Sequence, residues 1–397
     1  MSAHLGQWLG LVARWAHVIT GVAWIGTSFY FNWLNARIAP LVSPEPGVGG
    51  ELWSVHGGGF YRVVKYSVAP ARLPKTLHWF KWEAYATWWS GISLLVLLYY
   101  VGAREYLLDP AVSAIGPAPA VALGVATLAG SWVVYDLLCR SALGARPAAL
   151  ATIGLALVTG LSWGLSHVFS ARAAYLHVGA ALGTIMAANV FRIIIPAQRE
   201  MVAELSAGRT PDAARGRQAA LRSLHNNYLT LPVLFVMVSN HYPATYGNSW
   251  GWAVLVVLFL IGVLVRHWFN LRNAGKSNAW LLPATVAGLA ALAVATAPRA
   301  TGGTNPAGAG TAPFADVRVV IARRCAPCHS AAPTYQGISA APAGVMFDTP
   351  EQIRSRAARI AERAVVQWTM PLGNVTAITA EERALLGRWV QAGAPLR

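Results

Sequence analysis

The stretch AALATIGLALVTGLSWGLSHVF, residues 148–169, contains no Asp, Glu, Lys or Arg. A run of about 20 predominantly apolar residues is long enough to cross the hydrocarbon core of a bilayer as one α-helix. The stretch therefore predicts a transmembrane helix, and it indicates that lipid is the main solvent of the chain.

Seven further apolar stretches have a similar character. They cover residues 8–34, 83–101, 117–138, 173–195, 224–241, 250–271 and 279–298, and the one at 224–241 is interrupted by Pro232. The composition agrees, because only 12% of the residues are charged, about half the fraction of a soluble domain. We predict an all-α fold with a polytopic bundle of about eight transmembrane spans over residues 1–298.

The distribution of Lys and Arg predicts the orientation of this bundle. With an even number of spans, both ends lie on one side of the membrane. The gaps on the opposite side hold 17 of the 21 Lys and Arg residues in positions 1–300. Cytoplasmic loops carry such an excess, so we predict a multi-pass protein of the bacterial inner membrane with a periplasmic N-terminus and C-terminal domain. The net charge of +16 reflects this topology, and the sequence carries no nucleic-acid-binding motif.

A small second domain follows the bundle. Residues 299–313, RATGGTNPAGAGTAP, have the composition of a flexible linker. Residues 314–397 then alternate charged and short apolar segments, and Thr379-Ala-Glu-Glu382 is the start signal of a final helix. We predict a periplasmic domain over 314–397.

The sequence Cys325-Ala-Pro-Cys328-His329 is a Cys-x-x-Cys-His motif, which is typical of covalent haem c attachment. Two thiols on one turn form thioethers with the haem vinyl groups, and the adjacent histidine binds the iron. A redox pair or a zinc site would use the same two cysteines. Zinc, however, needs two more ligands, and no other cysteine follows.

The second axial ligand of the iron is predicted to be a methionine, as in cytochromes c with His/Met ligation. Met370 precedes a proline just before the final helix, whereas Met346 lies nearer the attachment motif. The Met-Pro pair and its position favour Met370 and a class I-type cytochrome c domain, with Met346 as a core residue.

Histidines inside the predicted bundle have two interpretations. His17 and His177 have small residues on their own helix faces, which would leave room for a haem b with these two as ligands and His241 as the next candidate. The alternative is that interior histidines form hydrogen bonds between helices.

The gap 51–83 is unusually long and mixes three glycines, aromatic residues and cations. We consider Arg62, Lys65 and His78 as ligands of an anion and Glu83 as a base. A second polar segment places His225 and Asn226 at the start of the sixth span. Positive-inside anchoring with interfacial aromatics explains the cations equally well, but not the three glycines or the paired Asn.

Several segments resemble the bacterial membrane-bound cytochrome c urate oxidase (urate hydroxylase) family. They are RWAHVITGVAWIGTSFYFNWLN (14–35), HGGGFYRVVKY (56–66), LPKTLHWFKWEAY (73–85), HNNYLTLPVLFVMVSNHYP (225–243) and the haem-attachment motif. The resemblance covers nearly the whole chain.

The resemblance implies oxidation of urate to 5-hydroxyisourate, with electrons passing through haem c to an acceptor of the respiratory chain and without formation of peroxide. The expected partners are urate, that acceptor and membrane lipid. Two other hypotheses stay open at this point: a quinol-oxidising electron-transfer module without an organic substrate, and a haem- or metal-transporting permease with a fused redox sensor.

Overall fold

A computed structural model of the chain describes residues 3–43, 45–67, 70, 73–297, 312–338 and 340–397. Most of the described residues are helical. The predicted linker, residues 299–313, lies outside the described residues except for Ala312 and Pro313.

Nine α-helices are described in the part of the chain before this gap. Their bounds are α1 Ala3–Arg37, α2 Trp82–Leu94, α3 Pro117–Arg140, α4 Pro147–Ser166, α5 Ala171–Ala188, α6 Ile195–Ser206, α7 Ala213–Ser239, α8 Gly251–Asn273 and α9 Leu281–Ala295. Short π-helical segments extend α2 over Leu95–Tyr100, follow it at Ala103–Leu107, and join α5 to α6 over Asn189–Ile194. Each of the eight predicted apolar stretches falls on one of these helices.

Five of the described helices are long and apolar enough to cross a membrane. They are Trp8–Arg37, Pro117–Arg140, Pro147–Ser166, Ala171–Ser206 and Gly251–Asn273. The other three predicted spans are helical but depart from this pattern. α2 is regular for 13 residues only, α7 begins with charged turns and contains Pro232, and α9 has 15 residues.

Helix α5 lies at the centre of the bundle and packs against α2, α3, α4 and α7. Its small residues allow these close approaches. A Cβ atom added at Gly179 would lie 2.4 Å from Val236 Cγ1 on α7. The largest apolar core surrounds this helix and includes Phe169, Val178 and Met186.

The all-α prediction is wrong for residues 48–66. Strands β1 (Val48–His56) and β2 (Gly59–Tyr66) form an antiparallel hairpin in which Trp53 pairs with Arg62. Gly57 and Gly58 form its turn with φ values of +56° and +80°. Such values suit a two-residue hairpin turn and favour glycine. Two of the three glycines that do not suit a plain connector therefore form the turn of a hairpin, and the third, Gly59, begins β2.

The C-terminal domain has its own hydrophobic core. Its helices are α10 Phe314–Arg324, α11 Pro350–Ser355, α12 Ala357–Ile360 and α13 Ala380–Gln391. The core brings α10 and α13 together, with ring centroids of Phe314 and Trp389 6.0 Å apart. The predicted helix start is confirmed, because Thr379 and Glu382 form a reciprocal capping box.

This domain contacts one end of the bundle. Tyr335 donates a hydrogen bond of 3.5 Å to Glu105 Oε1, and a Cβ atom added at Gly373 would lie 2.6 Å from the Glu105 carbonyl oxygen. On the neighbouring loop, Gly247 lies against Gln367. These bundle loops are at the end that the Lys and Arg distribution predicts to be periplasmic.

Candidate redox site and polar clusters

The Cys-x-x-Cys-His motif continues directly from the end of α10. The backbone N–H groups of Cys328 and His329 both donate to the Cys325 carbonyl, at 3.2 and 3.0 Å. The three residues therefore occupy one tight turn. This places the two thiols and the imidazole on a single short segment, as attachment of haem c requires.

The ring of His329 has a fixed tautomer. Its Nδ1 lies 3.0 Å from the Val345 carbonyl oxygen, and a carbonyl can only accept, so Nδ1 carries the proton. Nε2 is then the ring nitrogen that is available to a metal. Metal-binding histidines are typically oriented by such a hydrogen bond on their other ring nitrogen, so this side chain fits a ligand of haem iron.

No disulfide joins Cys325 and Cys328. Burial raises the pKa of the Cys325 thiol to about 12, and burial also raises the pKa of Cys328. A redox-active cysteine pair needs a readily formed thiolate, so these environments argue against a redox pair. Within the described ranges, no group of three or more His, Cys, Asp or Glu side chains is arranged to hold a metal ion.

The two candidate methionines lie on different loops. Met346 follows Val345, the residue whose carbonyl orients His329. Met370 lies before α13, where its N–H donates to the Arg363 carbonyl at 3.1 Å and its carbonyl accepts from Arg383 at 2.8 Å. If haem c is bound, His329 and one of these methionines would hold its iron, and Met370 on the separate loop stays the predicted second ligand.

The three histidines considered for haem b lie in different surroundings. His17 Nδ1 is 3.0 Å from the Thr87 carbonyl. His177 is completely buried, with Nδ1 donating to the Ala173 carbonyl at 2.8 Å and Nε2 3.3 Å from the Tyr100 hydroxyl. His241 lies exposed beyond the end of α7.

The contacts of His177 leave little room for a macrocycle. A Cβ atom added at Gly124 would lie 2.8 Å from His177 Nε2, and the ring of Phe169 packs 4.7 Å away. The described arrangement therefore does not fit a haem between His17 and His177. It agrees with the alternative of interior histidines that bond within and between helices.

The substrate candidates of the gap 51–83 do not converge on one site. Arg62 is paired with Glu51 and Glu45 across the hairpin, and Lys65 donates to Asn35 at 2.9 Å. His78 instead packs edge-on against the Phe80 ring.

Glu83 lies in the first turn of α2, and its Oε2 atom is buried without a hydrogen-bond partner among the described residues. Glu83 thus makes no hydrogen bond or ion pair with Arg62 or Lys65 of the hairpin.

His225 and Asn226 belong to a buried polar network between α3, α5 and α7. His225 Nδ1 is 2.8 Å from the Tyr135 hydroxyl. Asn189 Nδ2 donates to Asn226 Oδ1 at 2.8 Å and to Tyr135 at 3.1 Å. Arg222, only 1% exposed, donates to Asp136 Oδ1 at 2.6 Å.

Four residues of this network were not predicted as site residues from the sequence: Tyr135, Asp136, Asn189 and Arg222. One signal was available: Asp136 is the single acidic residue of the apolar stretch 117–138, and an ionisable residue within a span usually has a partner. The network borders a cavity of about 480 Å³ lined by Trp132, Asp136, Arg140, Phe191, Arg192, Pro196 and Arg199.

The next two residues of α7 face a different helix. Asn227 accepts a hydrogen bond of 2.9 Å from Asn270, and the Tyr228 hydroxyl is 2.7 Å from His267 Nδ1. Consecutive helical residues point about 100° apart. Asn226 therefore bonds toward α5, whereas Asn227 bonds toward α8.

Comparison with known proteins identifies the bundle. Residues 3–297 match the family model described as Urate oxidase N-terminal. The match includes every described helix of the bundle and ends before the C-terminal domain. No curated protein and no solved structure matches the chain. Because the family model covers about three quarters of its length, the chain belongs to the urate oxidase N-terminal family.

Proposed function

We propose that this protein oxidises urate to 5-hydroxyisourate and passes the electrons to haem c, from which they leave to an acceptor of the respiratory chain. The observation that carries the proposal is the combination of two parts in one chain. A bundle of the urate oxidase N-terminal family is in contact with a domain that carries Cys325-Ala-Pro-Cys328-His329.

The redox balance supports a separate electron acceptor. The urate monoanion and one water give 5-hydroxyisourate, one proton and two electrons, and the proton is released to water. Haem c, when bound through Cys325 and Cys328 with His329 and Met370 as iron ligands, supplies a one-electron acceptor. Because urate releases two electrons, the respiratory acceptor would have to reoxidise the haem between the first and the second transfer. O2 is then not a reactant, so no peroxide is formed.

The proposal includes the membrane setting. Eight spans in the bacterial inner membrane, with the N-terminus and the cytochrome domain in the periplasm, agree with the 17 to 4 distribution of Lys and Arg. They also agree with the contact of the C-terminal domain with the loops at 103–108 and 243–247. A periplasmic location provides the oxidising compartment in which haem c is attached.

The test is to mix the purified, oxidised holoprotein with urate under anaerobic conditions and to follow the haem c absorption bands. We expect reduction by urate and formation of 5-hydroxyisourate without peroxide. A sample that dithionite reduces but urate does not would overturn the proposal. Reduction by a quinol in place of urate would support the electron-transfer module without an organic substrate.

A further inference from the structure

A second cavity, of about 400 Å³, lies between the bundle and the C-terminal domain. The bundle contributes residues 105–112, 170–172 and 246–249 to its wall, and the C-terminal domain contributes residues 366–369 with Leu372 and Gly373. Neither domain alone encloses this space.

One wall residue has an unsatisfied acceptor. Gln367 is 8% exposed and donates through Nε2 to Glu362 at 3.2 Å, but its Oε1 atom has no partner among the described residues. A buried polar atom without a partner costs about 1–3 kcal/mol. Such an atom on a cavity wall indicates a ligand that donates an N–H or O–H group.

The bundle side supplies positive charge. Arg172 lines the cavity and makes neither an ion pair nor a hydrogen bond within the described part of the chain. It belongs to the first turn of α5, an 18-residue helix capped by Ser170. The N-terminus of a helix carries partial positive charge. Arg172 and this helix end therefore favour an anion.

The C-terminal domain supplies a flat surface. Trp368 is half exposed at the wall and has a φ of +52°. A non-glycine residue in this region is strained, and such strain concentrates at functional sites. The Arg383 guanidinium lies 4.6 Å from the Trp368 ring centroid, and Arg383 also donates to the Met370 carbonyl.

We propose that the cavity between the two domains binds the urate anion, with Arg172 and Gln367 as polar ligands and Trp368 as the stacking surface. The inference rests on the proposed function and gives it a location. Thr369 of the wall directly precedes Met370, so a bound purine would lie beside the loop that carries the predicted iron ligand.

The two carboxylates of the cavity wall, Glu105 and Asp109, already have partners within the protein. Asp109 accepts from the Ala111 N–H at 2.9 Å and is close enough to Arg383 for electrostatic interaction. Glu105 accepts from Tyr335.

The test measures binding without turnover. The dithionite-reduced holoprotein cannot accept electrons, so equilibrium dialysis with radiolabelled urate reports the dissociation constant alone. We expect Arg172→Gln and Gln367→Leu each to weaken binding at least tenfold and Arg172→Lys to restore part of it. The haem c spectrum of each variant verifies that the domain is intact.

Arg199→Gln is the matched control, because Arg199 lies on the other cavity. Binding that is unchanged in Arg172→Gln and Gln367→Leu would overturn the proposed location. Weakening by Arg199→Gln instead would overturn it in favour of the cavity beside Asp136. These results are separate from the proposed function, which stands or fails on reduction of the wild-type protein by urate.

Discussion

At the scale of single residues, the two methionines of the C-terminal domain provide a direct test of iron ligation. Met370 and Met346 are both half-buried, but Met346 follows the residue that orients His329. We expect Met370→Ala to remove the low-spin His/Met spectrum of haem c, because the iron loses its thioether ligand. The spectrum of the oxidised and reduced protein measures this change.

Met346→Ala serves as the control for that substitution. It removes a thioether of the same size from the same domain and should leave the His/Met bands in place. If Met346→Ala removes the bands and Met370→Ala retains them, the assignment of the two methionines is reversed.

Asp136 is the counter-ion of the buried guanidinium of Arg222. Arg222 is 1% exposed and bonds to Asp136, whereas Arg140, which also bonds to Asp136, is more than half exposed. Asp136→Asn should lower the stability by about 3–5 kcal/mol, since the guanidinium of Arg222 loses its counter-ion. Thermal unfolding in detergent, monitored by size-exclusion chromatography, gives the comparison.

Arg140→Gln is the corresponding control. It removes an exposed partner of the same carboxylate and should cost about 0–1 kcal/mol. If Asp136→Asn and Arg140→Gln lower the stability equally, the burial of Arg222 is not the reason why its ion pair with Asp136 stabilises the protein.

At the scale of elements, two glycines of α5 have the same helical setting but different neighbours. A Cβ atom at Gly179 would lie 2.4 Å from Val236 on α7, whereas nothing lies within 4 Å of one at Gly183. Gly179→Ala should destabilise the bundle by about 1–3 kcal/mol through overpacking. Gly183→Ala should stabilise it by about 0.5–1 kcal/mol through helix propensity.

The melting temperatures of the two alanine variants test this prediction. Opposite shifts are expected, because one substitution forces α5 and α7 apart and the other only stiffens the unfolded chain. Shifts of the same sign and size would mean that the contact between α5 and α7 adapts to an extra methyl group.

The start of α13 makes the C-terminal domain sensitive to acid. Burial alone would raise the pKa of Glu382, but hydrogen bonds from Arg324 and the Thr379 backbone outweigh it, and the net pKa is lowered. Glu382 therefore stabilises the domain above its unfolded-state pKa of about 4.3. This contribution is lost as the pH falls through the lower folded-state pKa.

We accordingly expect Glu382→Gln to destabilise the domain at pH 7 and to have progressively less effect below about pH 4. Glu351→Gln, which neutralises an exposed carboxylate on α11, should show little change at either pH. Haem absorption during thermal unfolding of the full chain gives the values. A loss for Glu382→Gln that is independent of pH would contradict the electrostatic explanation.

The sequence predicts elements where one physical effect dominates. Long apolar stretches specify helices, and the positions of α1 to α5 and of α7 to α9 follow from them, whereas that of the more polar α6 does not. The hairpin at 48–66 was missed because its alternating residues lie among cations and aromatics, which are equally typical of a membrane interface. The network around Arg222 was missed in part, because its members come from three separate regions of the chain that only the packing of α3, α5 and α7 brings together.

At the scale of the whole molecule, the chain has two polar regions at opposite ends of its bundle. The network around Asp136 lies at the end with the Lys- and Arg-rich gaps, whereas the C-terminal domain contacts the other end. Substrate bound beside Asp136 would be separated from the haem-attachment motif by the length of the helices. The cavity between the domains avoids this separation, because one of its walls belongs to the C-terminal domain.

The contact between the two domains is therefore expected to determine the rate of electron transfer. Gly373 has a φ of +57°, and a Cβ atom there would lie 2.6 Å from the Glu105 carbonyl oxygen and 3.0 Å from that of Arg104. Gly393 also has a positive φ, +84°, but nothing lies within 4 Å of an added Cβ atom. The two positions share the backbone strain and differ only in contact with the bundle.

Gly373→Ala should slow the reduction of haem c by urate at least tenfold, because the methyl group pushes the C-terminal domain away from Glu105. Reduction by dithionite, which reaches the haem from solution, should keep its wild-type rate. Gly393→Ala should leave both rates unchanged, since it strains the same domain without touching the bundle. Stopped-flow absorbance measures both reactions. If Gly373→Ala transfers electrons from urate as fast as the wild type, the electron path does not depend on this contact, and the purine must be oxidised elsewhere in the bundle.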